Sequence, residues 1–290
     1  MKKRFFLCLL ALVTLFSLTG LLSAQAEVVQ LPIDETGGMP PLASGYSGDL
    51  AYEDPTIKVS IELGREENCD YWIADIQITD PAQLRTAAAD GFSSTMAMDG
   101  QKLARRVNAV LAIDGDYFCY TGSGYILRQG QLYLNKLNGD RDVLLVDELG
   151  NFHGRHLAED GSITGSVRGR KIINAFYFGP LLVENGEVCP DVTGQDMAAR
   201  EKRQRMCIAQ VGELHYKAIC CAAPARGSAG MTLEQFAAFV ARQDVLIAYN
   251  LDGGDSTMMI FQNKKINDVK NNSTRDICDI IYFASAWKAE

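Results

Sequence analysis

Apolar and polar positions alternate most cleanly in "TIKVSIEL", Thr56–Leu63, where Ile57, Val59 and Ile61 share one face against Lys58, Ser60 and Glu62. A period of two is the mark of a half-buried strand. "YWIADIQI" (71–78) reads the same way. "GYILRQGQLYL" (124–134) predicts two strands about a Gln129-Gly130 turn, and "DVLLVDELGNFHG" (142–154) predicts a second hairpin. Helical spacing is rarer. Asp80-Pro81 suits a helix start for "PAQLRTAAA" (81–89), and "QKLARRVNA" (101–109) predicts a short helix leading into the apolar strand "VLAI". In "MTLEQFAAFVARQ" (231–243), Thr232 and Gln235 fit a capping box, with Leu233, Phe236, Ala237 and Val240 on one face. "DVLIAYNLD" then reads as a buried strand, and "MMIFQNKKIND" as a hairpin turning near Asn263-Lys264. The elements add up to a single α+β domain with a strand-rich core, hairpins and a few helices.

The amino terminus departs from these patterns. Lys2, Lys3 and Arg4 precede an uncharged apolar run, Phe5–Leu22, and Ala24-Gln25-Ala26 fits a small-residue cleavage site. This is the build of a secretory leader over residues 1–26. An uncleaved anchor is the rival, since a run of roughly 18 apolar residues can just span a bilayer. Either way the rest of the chain is secreted or extracytoplasmic, and it meets a membrane only through this segment if it stays uncleaved. Residues 27–54, rich in Pro, Gly and Ser, read as a tether, and residues 55–290 as the folded domain.

Charge narrows the partners. The chain carries 28 basic and 36 acidic residues, and losing the leader's three cations leaves a balance of −11. Such a surface disfavours a phosphate backbone, so no nucleic acid is expected. Of eight cysteines, seven remain beyond Cys8, with no CxxC pair. They read as buried thiols with one or two bridges, and Cys220 and Cys221 as opposite faces of one strand.

The chemistry gathers in "YNLDGGDSTMM", Tyr249–Met259, where two glycines and two acids follow a buried strand. Gly253 and Gly254 can take positive φ and let a ligand approach bare backbone. A tight turn with self-satisfying Asp and Ser would look alike. Five other segments widen the signal: "AVLAIDGDYF", "YILRQGQLY", "FYFGPLLVENGEV", "GMTLEQFAAFV" and "RDICDIIYFASAW". In this order, from about Tyr52 to Trp287, the chain resembles the phosphodiester glycosidase family.

The resemblance implies hydrolysis of a sugar-1-phosphodiester in a cell-surface or exogenous glycan, with a phosphosugar or glycan as substrate and no cofactor. It puts Asp114, Gly115, Asp116 and Phe118 in one active-site segment, and Asn250, Asp252, Gly253, Gly254, Ser256 and Thr257 in the other. Arg205, Asn267 and Arg275 match recurring polar positions, and Gly179-Pro180 a structural turn. Asp252 is the expected catalytic carboxylate, with Asp114 or Asp116 as partner at an adjacent strand end. Arg205 and Arg275 are the expected phosphate donors. The acids could alternatively hold Ca²⁺ through oxygen ligands. No zinc site is expected from His153, His156 and His215, nor a triad on Ser256. The chain departs from the family pattern at Asp114 (Asn there), Asp255 (Gly), Met206 (Thr), Ala209 (Gly) and in "AAPARGSAG". A non-catalytic glycan-binding relative is the alternative these departures leave open.

Overall fold

In the computed structural model, residues 26–139, 141–156, 163, 165–194, 198–225, 227–268 and 274–289 are described. The leader expected over residues 1–26 lies outside them except for Ala26. Strands dominate, and three α-helices, Gly100–Arg106, Phe118–Thr121 and Leu233–Ala241, stand among the described residues. The mixed class holds, weighted towards β.

Two antiparallel sheets carry the frame. The larger has nine strands and runs from Glu187–Val188 through Leu181–Glu184, Ile247–Asn250, Arg205–Gly212, His215–Cys221, Cys69–Ile78 and Ile57–Glu66 to Ala51–Asp54 and Tyr46–Ser47. The smaller has five, in the order Lys264–Lys265, Met259–Phe261, Ala109–Asp114, Asp279–Ala284, Leu84–Ala88. A six-stranded sheet holds the two hairpins predicted around Gln129-Gly130 and within 142–154, joined by Arg170–Phe176.

Alternation sets the layers. Met259, Phe261, Ile281 and Phe283 point into the core shared with the nine-stranded sheet. Met258, Ile260, Ile280, Tyr282 and Ala284 face the other way, onto Leu103 and Ala104 of the Gly100–Arg106 helix. A fully buried side chain such as Phe283 is worth about 1.5–3 kcal/mol, so each layer is strongly specified. The Leu233–Ala241 helix has the predicted capping box on Thr232 and Gln235, and its Leu233, Phe236 and Val240 join the main core.

Three expectations are corrected. Pro81 opens only a 3-10 turn, capped by Asp80 and Gln83, and Leu84–Ala88 is a strand paired with Asp279–Ala284. The alanines favour helix, but the neighbouring strand offers a full ladder, and tertiary pairing wins. The last hairpin turns at Gln262-Asn263, both at positive φ, one residue earlier than read.

Residues 27–54, read as a tether, are fastened to the domain. Glu27–Val28 pairs with Trp287–Lys288, and buried Arg85 donates to the carbonyls of Pro32, Asp34 and Thr36. Gly38 packs on Ala284, and Ala51–Asp54 is a strand of the large sheet. Weak apolar periodicity concealed a segment held mainly through its backbone.

Candidate active site

The strand Ala109–Asp114 ends beside the loop that follows Ile247–Asn250, where the Asp252 amide donates to the Gly115 carbonyl at 3.2 Å. This contact joins the two sequence segments across two sheets. Gly115 has to be glycine, because a Cβ there would lie 2.4 Å from Asp279 Oδ1. That same oxygen accepts the Asp116 amide at 2.8 Å. Gly254 sits at φ +60 with open space where a side chain would be, so its backbone form is the constraint.

Behind the loop is a buried charge cluster. Arg128 Nη2 is 2.6 Å from Asp116 Oδ2 and 2.9 Å from Asp279 Oδ2, and its Nε donates to the latter at 3.1 Å. Its Nη1 donates to the Ala175 carbonyl, and the guanidinium lies 4.3 Å from the Phe176 ring centre. Burial raises the proton affinity of both carboxyls, and the one guanidinium opposes this for each. The Asp116 carboxylate also accepts the Tyr177 amide, at 3.1 and 3.2 Å. Arg128 and Asp279 went unread in the sequence. The available signal was a charge set inside each apolar run, "YILR" and "ICDII", which has to be paired if buried.

Asp252 is held more loosely. Its Oδ1 accepts the Gly253 amide at 2.8 Å, and its Oδ2 is 3.4 Å from Arg275 Nη2. Burial pushes its pKa up to about 6, against the lowering pull of Ser256, Arg275 and the Gly253 amide. Arg275 donates from Nε to Ser256 Oγ at 2.7 Å and lies 4.9 Å from the Tyr117 ring centre. Tyr117 stacks on Tyr120. A Cys119–Cys278 disulfide ties this turn to the start of the Asp279 strand, while Cys69, Cys189, Cys207, Cys220 and Cys221 are buried thiols.

A cavity of about 390 Å³ opens here. Of the residues expected from sequence, Asp116, Phe118, Arg205, Asn250, Asp252, Gly253, Gly254 and Arg275 line it, joined by Tyr117, Tyr177 and Arg203. Arg205 contributes a wall more than a free cation: its Nη2 donates to the carbonyls of Ala198 and Glu201 at 2.8 and 2.9 Å. Asn250 donates Nδ2 to the Gly179 carbonyl, and its buried Oδ1 has no hydrogen-bond partner among the described residues.

Asp114, Gly115, Ser256, Thr257 and Asn267 lie off the cavity wall. Asp114 is wholly buried, accepting the Met258 amide at 2.8 Å, so its carboxyl does not face the cleft with Asp252. Burial, reinforced by the Asp252 charge, holds its pKa well above the carboxylate range despite the Met258 amide. Burial thus favours the uncharged form of Asp114, which is close in shape to the asparagine expected there. Ser256 receives Arg275, and Asn267 fastens the hairpin by accepting the Met259 amide and donating to the Thr257 carbonyl. These support the loop from behind.

The histidines are engaged elsewhere, His153 with Asp147, His156 with Asp142 and His215 with Asp75. Among the described residues, no group of three or more His, Cys, Asp or Glu gathers as a metal site would. No helix among them is long and apolar enough to cross a membrane.

The fold has solved counterparts. The catalytic domain of zebrafish N-acetylglucosamine-1-phosphodiester alpha-N-acetylglucosaminidase, auto-inhibited by its pro-peptide, is similar with a TM-score of 0.63 at 18% identity, over 87% of this chain and 88% of that one. A hypothetical protein from Synechocystis matches with a TM-score of 0.55 at 15% identity, over 78% and 62% of the two chains. A Burkholderia pseudomallei protein described as exported matches with a TM-score of 0.50 at 13% identity, over 74% of each. At such identities the likeness is one of fold. No curated protein matches the chain. The sequence profile of the phosphodiester glycosidases matches residues 107–284, well over half the length, and so the chain belongs to the phosphodiester glycosidase family.

Proposed function

We infer that the protein is an exported hydrolase that cleaves a sugar-1-phosphodiester between the anomeric carbon and the phosphate oxygen. The observation that carries this reading is the pairing of Asp252 with Arg275 on the cavity wall. It sets a carboxylate with a pKa near 6 against a partly exposed guanidinium. A carboxylate there can stabilise an oxocarbenium-like centre or activate water. Arg275, stacked on Tyr117, can take the phosphate, and a phosphate leaves readily without a strong general acid. Asp116 has both carboxylate oxygens engaged by Arg128 and Tyr177, so it shapes the cavity beside Asp252.

The departures from the family pattern do not disarm this arrangement. Asp114 is buried where its uncharged form is favoured, Met206 lies in the core, and Asp255 is exposed. Export is supported by the leader pattern and by a disulfide suited to an oxidising compartment.

Incubation of the purified protein with a panel of sugar-1-phosphodiesters should release free reducing sugar from at least one. No release from any member, together with retention on a glycan column, would establish the binding relative instead. Intact mass of the exported protein should correspond to a chain beginning at or near Glu27.

A further inference from the structure

Outside the cavity, two thiols meet at one end of the nine-stranded sheet. Cys221 closes the strand His215–Cys221 opposite Tyr71, and the Ala222 amide carries the ladder on to the Asp70 carbonyl at 2.9 Å. Alternation puts Cys69, the first residue of its strand, on the face of Tyr71 and Cys221, diagonal to Cys221. The two side chains are hydrogen-bonded to each other. Cys220 stands opposite Trp72 and so points to the other face.

The surroundings tie this pair to the cavity wall. Ser228 donates its hydroxyl to Cys69 Sγ at 3.7 Å and accepts the Asp70 amide at 3.2 Å, and the Ala229 amide donates to the Asn68 carbonyl at 2.8 Å. The Cys221 thiol donates to the carbonyl of Arg203, a cavity residue, at 3.5 Å. Arg203 and Met231 exchange both backbone hydrogen bonds at 3.1 Å. The contact with Cys221, helped by Ser228, draws the pKa of Cys69 down against its burial. Burial raises those of Cys189, Cys207, Cys220 and Cys221. Of the five thiols Cys69 is thus the one disposed to attack, with Cys221 placed to resolve.

We propose that Cys69 and Cys221 are a redox pair, closing to a second disulfide when the protein meets a small external disulfide, and pinning both strand ends beside Arg203. The Cys69 thiolate, its proton passed to solvent, attacks one sulfur of the external disulfide and releases one thiol. Cys221 then loses its proton, attacks the Cys69 sulfur and releases the second thiol. Two protein thiols are oxidised, and one external disulfide is reduced to two thiols. The pair is independent of the reaction proposed above.

Mature protein treated with hydroxyethyl disulfide, then unfolded and alkylated, tests this. Alkyl groups should appear on Cys189, Cys207 and Cys220 only, with Cys69 and Cys221 linked in the peptide map. Cys220→Ser should keep the link and Cys221→Ser should abolish it. Alkylation of all five thiols overturns the proposal, as does a link from Cys221 to Cys207 or a lasting mixed disulfide on Cys69 with Cys221 free. Hydrogen exchange at the Ala229 amide should be about tenfold slower in the oxidised protein than in Cys69→Ser, because closure opposes local opening of the strand ends. Equal exchange would remove the pinning. The alkylation pattern of the unmodified protein decides the pairing by itself if the variants do not fold.

Discussion

Two aspartate–arginine contacts flank the cavity, and they differ in almost every physical respect. Asp116 and Arg128 are sealed, with side chains 2% and 0% exposed and 2.6 Å between charged atoms. Asp252 and Arg275 are 9% and 37% exposed and 3.4 Å apart. The first pair shares its guanidinium with Asp279 and has no room to exchange partners. The second leaves a carboxylate oxygen and a cation near a hollow. The contrast teaches that the same residue pair is frame where it is sealed and a candidate site where it opens onto a cavity.

Breaking the frame should have the largest effect. Arg128→Met keeps the bulk but strands two buried carboxylates, which should cost about 3–5 kcal/mol in urea unfolding. A loss under about 1 kcal/mol would mean the cluster is not what holds the cavity.

Asp252→Asn tests the other side. The rate of sugar release should fall by roughly 10²–10⁴, about 3–5 kcal/mol of transition-state stabilisation. Its stability should move the opposite way. A carboxyl raised from 3.8 to about 6 disfavours ionisation in the fold. That penalty is absent below about pH 4, grows as pH rises to 6, and is constant above. The variant should therefore gain up to about 3 kcal/mol at pH 7 and nothing at pH 3.5. Unchanged turnover would reduce Asp252 to a turn residue.

Arg275→Met should raise KM about tenfold for want of a phosphate contact, with stability changed by under about 0.5 kcal/mol, since the pair is partly exposed. Arg275 also pulls the Asp252 pKa down, so the acid limb of the pH–rate profile should move to higher pH. A limb that stays in place would show that the two charges do not communicate.

Asp114→Asn should do least to catalysis, leaving turnover within about twofold, because a carboxyl favoured in its uncharged form is replaced by a neutral amide. The raised pKa of Asp114 predicts a stability gain at pH 7 that vanishes in acid, checked by melting at both pH values. A large loss of activity would mean that Asp114 works in its charged form.

Asp252 and Arg275, the exposed pair, could be singled out before the fold was known, and much of the frame could not. The Thr232–Gln235 cap carries its meaning locally and stands as read, whereas of the two loop glycines only Gly254 takes the positive φ expected of both, Gly253 being extended. Arg205 and Arg203 show the limit. Both lie in one charged run, and only the packed structure turns Arg205 onto the carbonyls of Ala198 and Glu201 while leaving Arg203 on the cavity wall. Arg203 pairs with Glu201 at the surface, a contact worth little and easily exchanged. Arg128 and Asp279 are 151 residues apart, so neither sequence context holds the other's charge. Leu84–Ala88 and residues 27–54 failed for a related reason: their conformations are set by partners distant in the chain.

The ladder between Glu27–Val28 and Trp287–Lys288 carries a consequence in time. Synthesis delivers Glu27–Val28 first, yet that strand has no Trp287–Lys288 to pair with until nearly 260 further residues have been made. The strand Ala109–Asp114 likewise waits for Met259–Phe261 and Asp279–Ala284. Pairings across such separations are slow to form, on the millisecond-to-second scale or beyond. Nascent chains that stop short of Arg275 therefore lack the meeting of Asp116, Asp252 and Arg275, and the cavity wall is incomplete until that residue has been made.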